Sequence, residues 1–320
     1  MKKMILEARV NEYAMRDENP HVPWTPDEIA EAAARCREAG ASIVHFHARK
    51  PDGSPEHSAE AYAEIIRKIR AKCDILVHPT LGWFSNDGDP AARTRCVTTL
   101  AKDPATKPDF APVDTGSTNL ETYSGGRFDH ADRVYTNRTD TLIAYAREFA
   151  AAGIKPVMVT WSIGFTRRAA ALIETGLVAE PAYFLLNMTD GPFITGHPGT
   201  EDGLEAHLRF LPPGRRIEWS SNVVGGDLLK LTRMSAERGG HIAPGIGDYP
   251  YRGLGCPANE AVVASAAKMA RAAGREIASP ADVREMLALQ GADTLRDPSA
   301  QRSAPAAMMP PSTGGATPMM

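Results

Sequence analysis

Short hydrophobic runs alternate with longer stretches of helical periodicity along most of the chain. The runs predict strands at 4–10, 41–47, 75–80, 110–114, 155–160, 182–188, 216–220 and 241–246. The longer stretches predict helices at 25–40, 59–72, 91–100, 139–152, 167–175, 200–210, 227–237, 258–273 and 280–289. Eight strands, each followed by a helix, predict a (β/α)8 TIM barrel with extra C-terminal helices. A doubly wound open sheet is the alternative, although no glycine-rich phosphate-binding motif follows the first strand.

The composition predicts one large domain and a tail. The 320 residues are 43% hydrophobic and 23% charged, which suits one large soluble α/β domain. From residue 296 the sequence becomes rich in Pro, Ala, Ser, Gly and Met without periodicity. We therefore expect a single barrel domain over 1–295 and a loosely held tail over 296–320.

The charge and hydropathy patterns exclude two classes of partner. A formal net charge of -3 gives the protein no basic surface in bulk, so nucleic acid is not expected as a partner. No apolar run approaches the roughly 20 residues that cross a bilayer, and the first residues lead directly into a strand. These features predict a cytoplasmic protein that does not insert into membranes.

Two histidines at the end of the second predicted strand are the first candidate site. His45 and His47 occupy alternate positions, so both side chains lie on one face of the strand. A polar turn follows at 49–53, which places the pair at the carboxyl end, where α/β barrels carry their sites. Two imidazoles in this arrangement can bind one metal ion. The alternative is a hydrogen-bonded pair without metal.

The first strand has a polar face as well as an apolar one. Its polar positions are Glu7, Arg9 and Asn11, and the intervening residues are apolar. A carboxylate inside a barrel costs several kcal/mol unless a cation accompanies it. Glu7 is therefore predicted to face Arg9, a metal ion, or both.

Three further strand ends carry polar residues. Thr80 and Gly82 could hold a carboxylate or carbonyl oxygen, and the loop with Ser117 and Asn119 could cradle an anion. Asp248 follows the eighth strand, where a carboxylate across from a metal could remove a proton. The loop could equally be self-capped, and Asp248 could cap the following turn.

Several segments together resemble the β-keto acid cleavage enzyme family. They include 19–28, 40–49, 239–242 and 274–280, and the resemblance extends from 5 to 289. It implies a (β/α)8 barrel that holds Zn²⁺ at its carboxyl face and assembles as a homotetramer. It also implies a Claisen-type exchange in which a β-keto acid and acetyl-CoA give acetoacetate and a new acyl-CoA.

The resemblance also implies residue roles. His45 and His47 match the zinc ligands of the family, and Asp248 matches its catalytic aspartate. Thr80 lies at the position where the family has a serine hydroxyl. Glu12 matches a catalytic glutamate across a one-residue gap. The positions expected to bind substrate are Gly82, Ser117 and Asn119.

Two departures from the family pattern affect the expected site. Ala243 stands where the family usually has arginine, and Gly247 where it has a metal-binding glutamate. We hypothesise that Glu7 supplies the missing metal ligand. Arg9 is a candidate for the missing guanidinium.

The fifth strand bears on the substrate, because residues 157–162 contain no carboxylate. An uncharged or apolar β-keto acid near Met158 and Trp161 is therefore expected. Two other functions stay open: a metal-dependent aldolase or C–C lyase without CoA, and a barrel that binds metal or acyl-CoA without turnover.

Overall fold

Eight parallel strands surround the centre of the molecule in the computed structural model, which describes residues 2–82 and 90–289. In chain order the strands are β1 Glu7–Arg9, β2 Ile43–Phe46, β3 Leu76–Pro79, β4 Phe110–Asp114, β5 Thr118–Asn119, β6 Thr122–Ser124, β7 Arg127–Asp129, β8 Val134–Tyr135, β9 Lys155–Thr160, β10 Ala182–Thr189, β11 Ile217–Val224 and β12 His241–Ile242. The parallel sheets have the orders β1-β2-β3 and β12-β11-β10-β9-β4.

The two parallel sheets meet at both edges. On one side, Leu6 forms a parallel bridge with Ile242, and the Ile242 amide donates to the carbonyl of Ile5. On the other side, the Asp109 amide donates to the Val77 carbonyl, and the Val77 amide donates to the Asp109 side chain. The strands therefore follow one another in chain order around a barrel, as predicted for the (β/α)8 fold.

Helices follow the barrel strands at the predicted places. They are α1 Pro26–Ala39, α2 Ala59–Lys72, α3 Pro90–Leu100, α4 Thr139–Ala152, α5 Ile163–Glu174, α6 Glu201–Arg209, α7 Thr232–Glu237, α8 Asn259–Ala272 and α9 Pro280–Met286. Thr25 and Glu28 form a capping box at the start of α1. The helix predicted over 227–237 begins as a 3-10 turn at Leu228–Leu231 and continues as α7.

Four short strands between β4 and α4 were not predicted. They form two antiparallel pairs, β5 with β8 and β6 with β7. Strands of two or three residues are too short for alternation to be recognised. These pairs lie in the connection that follows β4, on the same side of the barrel as the polar strand ends.

The barrel interior is apolar at its amino-terminal end. Side chains of successive strands form this layer: Ile5, Ile43, Leu76, Phe110, Val157 and Tyr183. Val283 and Leu287, from α9 and the residue after it, belong to the same buried cluster. The extra C-terminal helix thus covers the amino-terminal end of the barrel.

By its internal contacts the chain divides into a compact unit, 1–289, and a second unit, 290–320. The second unit, which includes the predicted tail over 296–320, lies outside the described residues. The domain boundary at 295 stays a prediction. Within the described part, no helix is long and apolar enough to cross a membrane.

Candidate active site

Glu12, His45 and His47 converge at the carboxyl end of β1 and β2. His45 Nε2 lies 3.2 Å from Glu12 Oε1, and His47 Nε2 lies 2.8 Å from Glu12 Oε2. The two Nε2 atoms are 3.3 Å apart. Asn11 fixes the loop behind them, because its side chain accepts from the His47 amide and donates to the His47 carbonyl. The predicted histidine pair thus has a carboxylate as its third member.

The chemistry of this donor set fits a divalent metal ion. Burial lowers the pKa of His45 to about 3, so its imidazole is neutral and its lone pair is available. Burial alone would raise the pKa of Glu12, but Arg9 and the two imidazoles hold it well below its usual value. Two imidazoles and one carboxylate are a ligand set of catalytic zinc sites, which keep a further position open for substrate.

Gly247 gives Glu12 the space to reach the imidazoles. A Cβ atom at residue 247 would lie 2.8 Å from Glu12 Cγ and 2.9 Å from the backbone nitrogen of Glu12. Glu12 itself has a positive φ of 35°, so the chain turns sharply at this residue. The glycine that departs from the family pattern therefore lies directly against the carboxylate that joins the two histidines.

Arg9 connects this group to Asp248. Its Nε donates to Asp248 Oδ2 at 2.7 Å, and its Nη2 lies 2.7 Å from Glu12 Oε1. Burial raises the pKa of Asp248 to about 6, and the charge of Glu12 adds to the rise, whereas Arg9 opposes it. Asp248 is therefore mostly ionised at neutral pH and more basic than an ordinary aspartate. Arg9 thus lies beside the carboxylate of Asp248, and its role as a replacement for the missing guanidinium stays a hypothesis.

Glu7 lies deeper in the barrel than Glu12. Its Oε1 is 3.0 Å from His78 Nδ1 and 3.6 Å from Arg9 Nη1. Glu7, His45 and His78 form a second group whose ligand atoms lie within 4.8 Å of one another. Glu12, and not Glu7, is the carboxylate grouped with both His45 and His47. The role of Glu7 as a metal ligand stays a hypothesis.

A cavity of about 680 Å³ opens above these groups. Thr80 and Gly82 line it, and Thr80 Oγ1 accepts from the Gly82 amide. Ser117 and Asn119 are exposed and do not belong to the residues that line the cavity. Ser117 Oγ accepts instead from the Asn137 amide, which fits the self-capped alternative for this loop.

Several cavity residues were not identified as candidates from the sequence. Asp114, at the end of β4, accepts from Trp161 Nε1 and from the hydroxyl of Tyr135, both at 2.6 Å. The guanidinium of Arg93 donates to the same hydroxyl at 2.8 Å. Asp114 could have been noticed at the end of a predicted strand. Tyr135 and Arg93 have no local motif, because their place depends on how the β4–α4 connection folds.

A family profile and several known proteins match most of this chain. The profile of the family described as beta-keto acid cleavage enzyme matches residues 3–289. A 3-keto-5-aminohexanoate cleavage enzyme from Fusobacterium nucleatum is 27% identical, with 91% of this chain and 99% of that protein covered. The 3-dehydrocarnitine:acetyl-CoA trimethylamine transferase of Rhizobium meliloti is 29% identical, with 84% and 90% covered.

Among solved structures, the apo structure of ObcA has the same fold. It superposes with a TM-score of 0.65 at 17% identity, over 84% of this chain, which spans 66% of the ObcA chain. The resemblance drawn from the motifs is thus confirmed by a profile match over the whole barrel. The chain belongs to the beta-keto acid cleavage enzyme family.

Proposed function

We propose that the protein exchanges acyl groups between a β-keto acid and acetyl-CoA and releases acetoacetate and a new acyl-CoA. The observation that carries the proposal is that one cavity contains both a set of potential metal ligands and a basic carboxylate. The potential ligands are Glu12, His45 and His47, and the carboxylate is that of Asp248. The relatives support it, because one is named as a keto acid cleavage enzyme and another as an acetyl-CoA-dependent transferase.

Zn²⁺ is the metal that we propose for the group formed by Glu12, His45 and His47. When bound, it supplies Lewis-acid polarisation of a carbonyl oxygen. The resemblance also supports a homotetramer, and we propose from the composition that it acts in the cytoplasm, with neither nucleic acid nor a membrane as a partner.

Asp248 is the proposed base. It would remove a proton from the carbon between the keto group and the carboxylate of the substrate, and that carbon then attacks the thioester carbonyl of acetyl-CoA. The released CoA thiolate adds to the original keto carbon, the older C–C bond breaks, and the proton returns from Asp248 to the acetoacetate carbon. Arg9 holds the Asp248 carboxylate in place throughout through the bond from its Nε.

The proposal is tested by incubating the zinc-loaded protein with acetyl-CoA and a panel of β-keto acids. We expect acetoacetate and the corresponding acyl-CoA in equal amounts, and their loss in the Asp248→Asn variant. Cleavage of the keto acid without CoA would favour the aldolase instead. Confirmed zinc loading with no product from any acid would contradict the proposed reaction and favour a barrel that only binds.

A further inference from the structure

Asp114 is a fixed carboxylate in the wall of the cavity. It ends β4, one strand away from Trp161, which follows β9. One oxygen accepts from Trp161 Nε1 and the other from the Tyr135 hydroxyl, each at 2.6 Å. A carboxylate oxygen has two lone pairs, so each oxygen keeps acceptor capacity on its remaining side. The two hydrogen bonds therefore orient the carboxylate, and each oxygen can still accept a further hydrogen bond.

The charge of Asp114 is not cancelled by direct contact. Within the described part of the chain, Asp114 forms no ion pair with a basic side chain. Arg93 reaches Asp114 only through Tyr135, because it donates to the Tyr135 hydroxyl, which donates in turn to Asp114. Arg93 is only 1% exposed, whereas Asp114 is partly exposed. Of these two charged groups, the carboxylate is therefore the more accessible to a ligand in the cavity, although the guanidinium of Arg93 also lines it.

Aromatic surface lies beside this carboxylate. Trp161 is partly buried against the inner apolar layer, and it lines the cavity together with Tyr135. A carboxylate flanked by aromatic rings attracts ammonium groups, by charge and by the negative ring faces. Met158, by contrast, is buried in the core and does not line the cavity.

We propose that Asp114 and Trp161 form the subsite for a positively charged group, a primary or quaternary ammonium, at the end of the β-keto acid distant from its carboxylate. Asp114 is the specificity-determining residue. This inference rests on the proposed function, and it revises the expectation of an uncharged substrate. That expectation considered the fifth strand alone, whereas the carboxylate comes from the neighbouring strand, at the position that pairs with Val159.

The test uses three β-keto acids of similar length that differ in terminal charge: 5-amino-3-oxopentanoate, 3-oxohexanoate and 3-oxoadipate. With acetyl-CoA and the zinc-loaded enzyme, kcat/KM should fall in that order, and the ammonium acid should exceed the methyl acid by about tenfold or more. In Asp114→Asn this advantage should disappear through a higher KM for the ammonium acid. The kcat/KM for 3-oxohexanoate should stay within about twofold of wild type, which shows that the fold is intact.

Two further measurements make the outcomes distinguishable. Tyr135→Phe removes the link to Arg93 but keeps the Asp114 charge, so the preference for the ammonium acid should persist. Calorimetric titration of the same acids without acetyl-CoA tests the subsite independently of turnover. Equal affinity for the three acids, or a preference that survives in Asp114→Asn, would overturn the subsite. If the three acids bind with affinities in the expected order but none is turned over, the proposed reaction would be overturned and the subsite supported.

Discussion

The two ends of the barrel use the same residue types for different purposes. At the amino-terminal end, His241 Nδ1 accepts from the Ile5 amide at 3.0 Å, and its Nε2 lies 3.0 Å from Glu218 Oε2. Lys2 forms an ion pair with the same Glu218 carboxylate. Both ring nitrogens of this histidine thus have protein partners, and the group joins β11 and β12 to the start of the chain.

The carboxyl-terminal end contains a larger cluster with unsatisfied atoms. Among the described residues, the buried atoms Glu7 Oε2, His45 Nδ1 and His78 Nε2 have no hydrogen-bond partner. Arg9 is shared between Glu12 and Asp248. Buried polar groups with partners stabilise a fold, whereas convergent groups beside a cavity that lack partners indicate a ligand. The comparison therefore assigns stability to one end and function to the other.

The largest expected effect is a loss of zinc affinity at the carboxyl-terminal end, which one substitution at each end of the barrel can test. Glu12→Gln should weaken zinc binding by more than about hundredfold, because it replaces a carboxylate that contacts both imidazoles. Glu218→Gln should leave zinc binding unchanged and cost about 1 kcal/mol of unfolding free energy, because it weakens the bonds from His241 and Lys2. Zinc titration and urea unfolding measure the two quantities. Similar zinc affinity in both variants would show that Glu12 is not a ligand.

A smaller effect is expected from Gly247→Ala. The added methyl would meet Glu12 Cγ at 2.8 Å and push the carboxylate away from the imidazoles. We expect zinc affinity to fall by about tenfold, since displacements near 1 Å at a site are costly. Gly253→Ala is the matched control, because no heavy atom lies within 4 Å of the added methyl. Unchanged affinity in Gly247→Ala would mean that the loop accommodates the methyl group without moving Glu12.

The smallest effects are two pH dependences, one of the reaction rate at the carboxyl-terminal end and one of stability at the amino-terminal end. Activity requires ionised Asp248, whose pKa burial raises to about 6. The rate should therefore be half-maximal near pH 6, approach a constant value about one unit above it, and fall by about tenfold per unit well below it. In Arg9→Met this limb should move to higher pH, because Arg9 opposes the rise. A limb that stays in place in this variant would assign the titration to another group.

At the other end, pH should change stability instead of rate. Burial lowers the pKa of His241 to about 4, against a usual value of 6.5. Between these values the unfolded state binds the proton and the folded state does not, so the stability that His241 contributes is lost as the pH falls. The difference in unfolding free energy between wild type and His241→Gln should therefore shrink by up to roughly 1.4 kcal/mol per pH unit below 6.5. A constant difference would contradict this.

Features that depend on neighbours in sequence were predictable. Alternation along β2 placed His45 and His47 on one face, and strand and helix periods were sufficient to predict the barrel. The polar face of β1 identified Glu7 and Arg9 as interior residues, and both are buried. The short strands β5 to β8 and the cavity residue Tyr135 had no such periodic signal.

The sequence by itself determined which residues enter the barrel, because local backbone periodicity decides which face a side chain lies on. Only the tertiary structure decided which of them meet. Arg9 and Asp248 are 239 positions apart and touch because the first and last strands close the barrel. Glu12 joins the histidines because of its positive φ and the space at Gly247, neither of which has a periodic signature. The long-range packing of β1 against the β12 connection therefore determined which carboxylate completes the site.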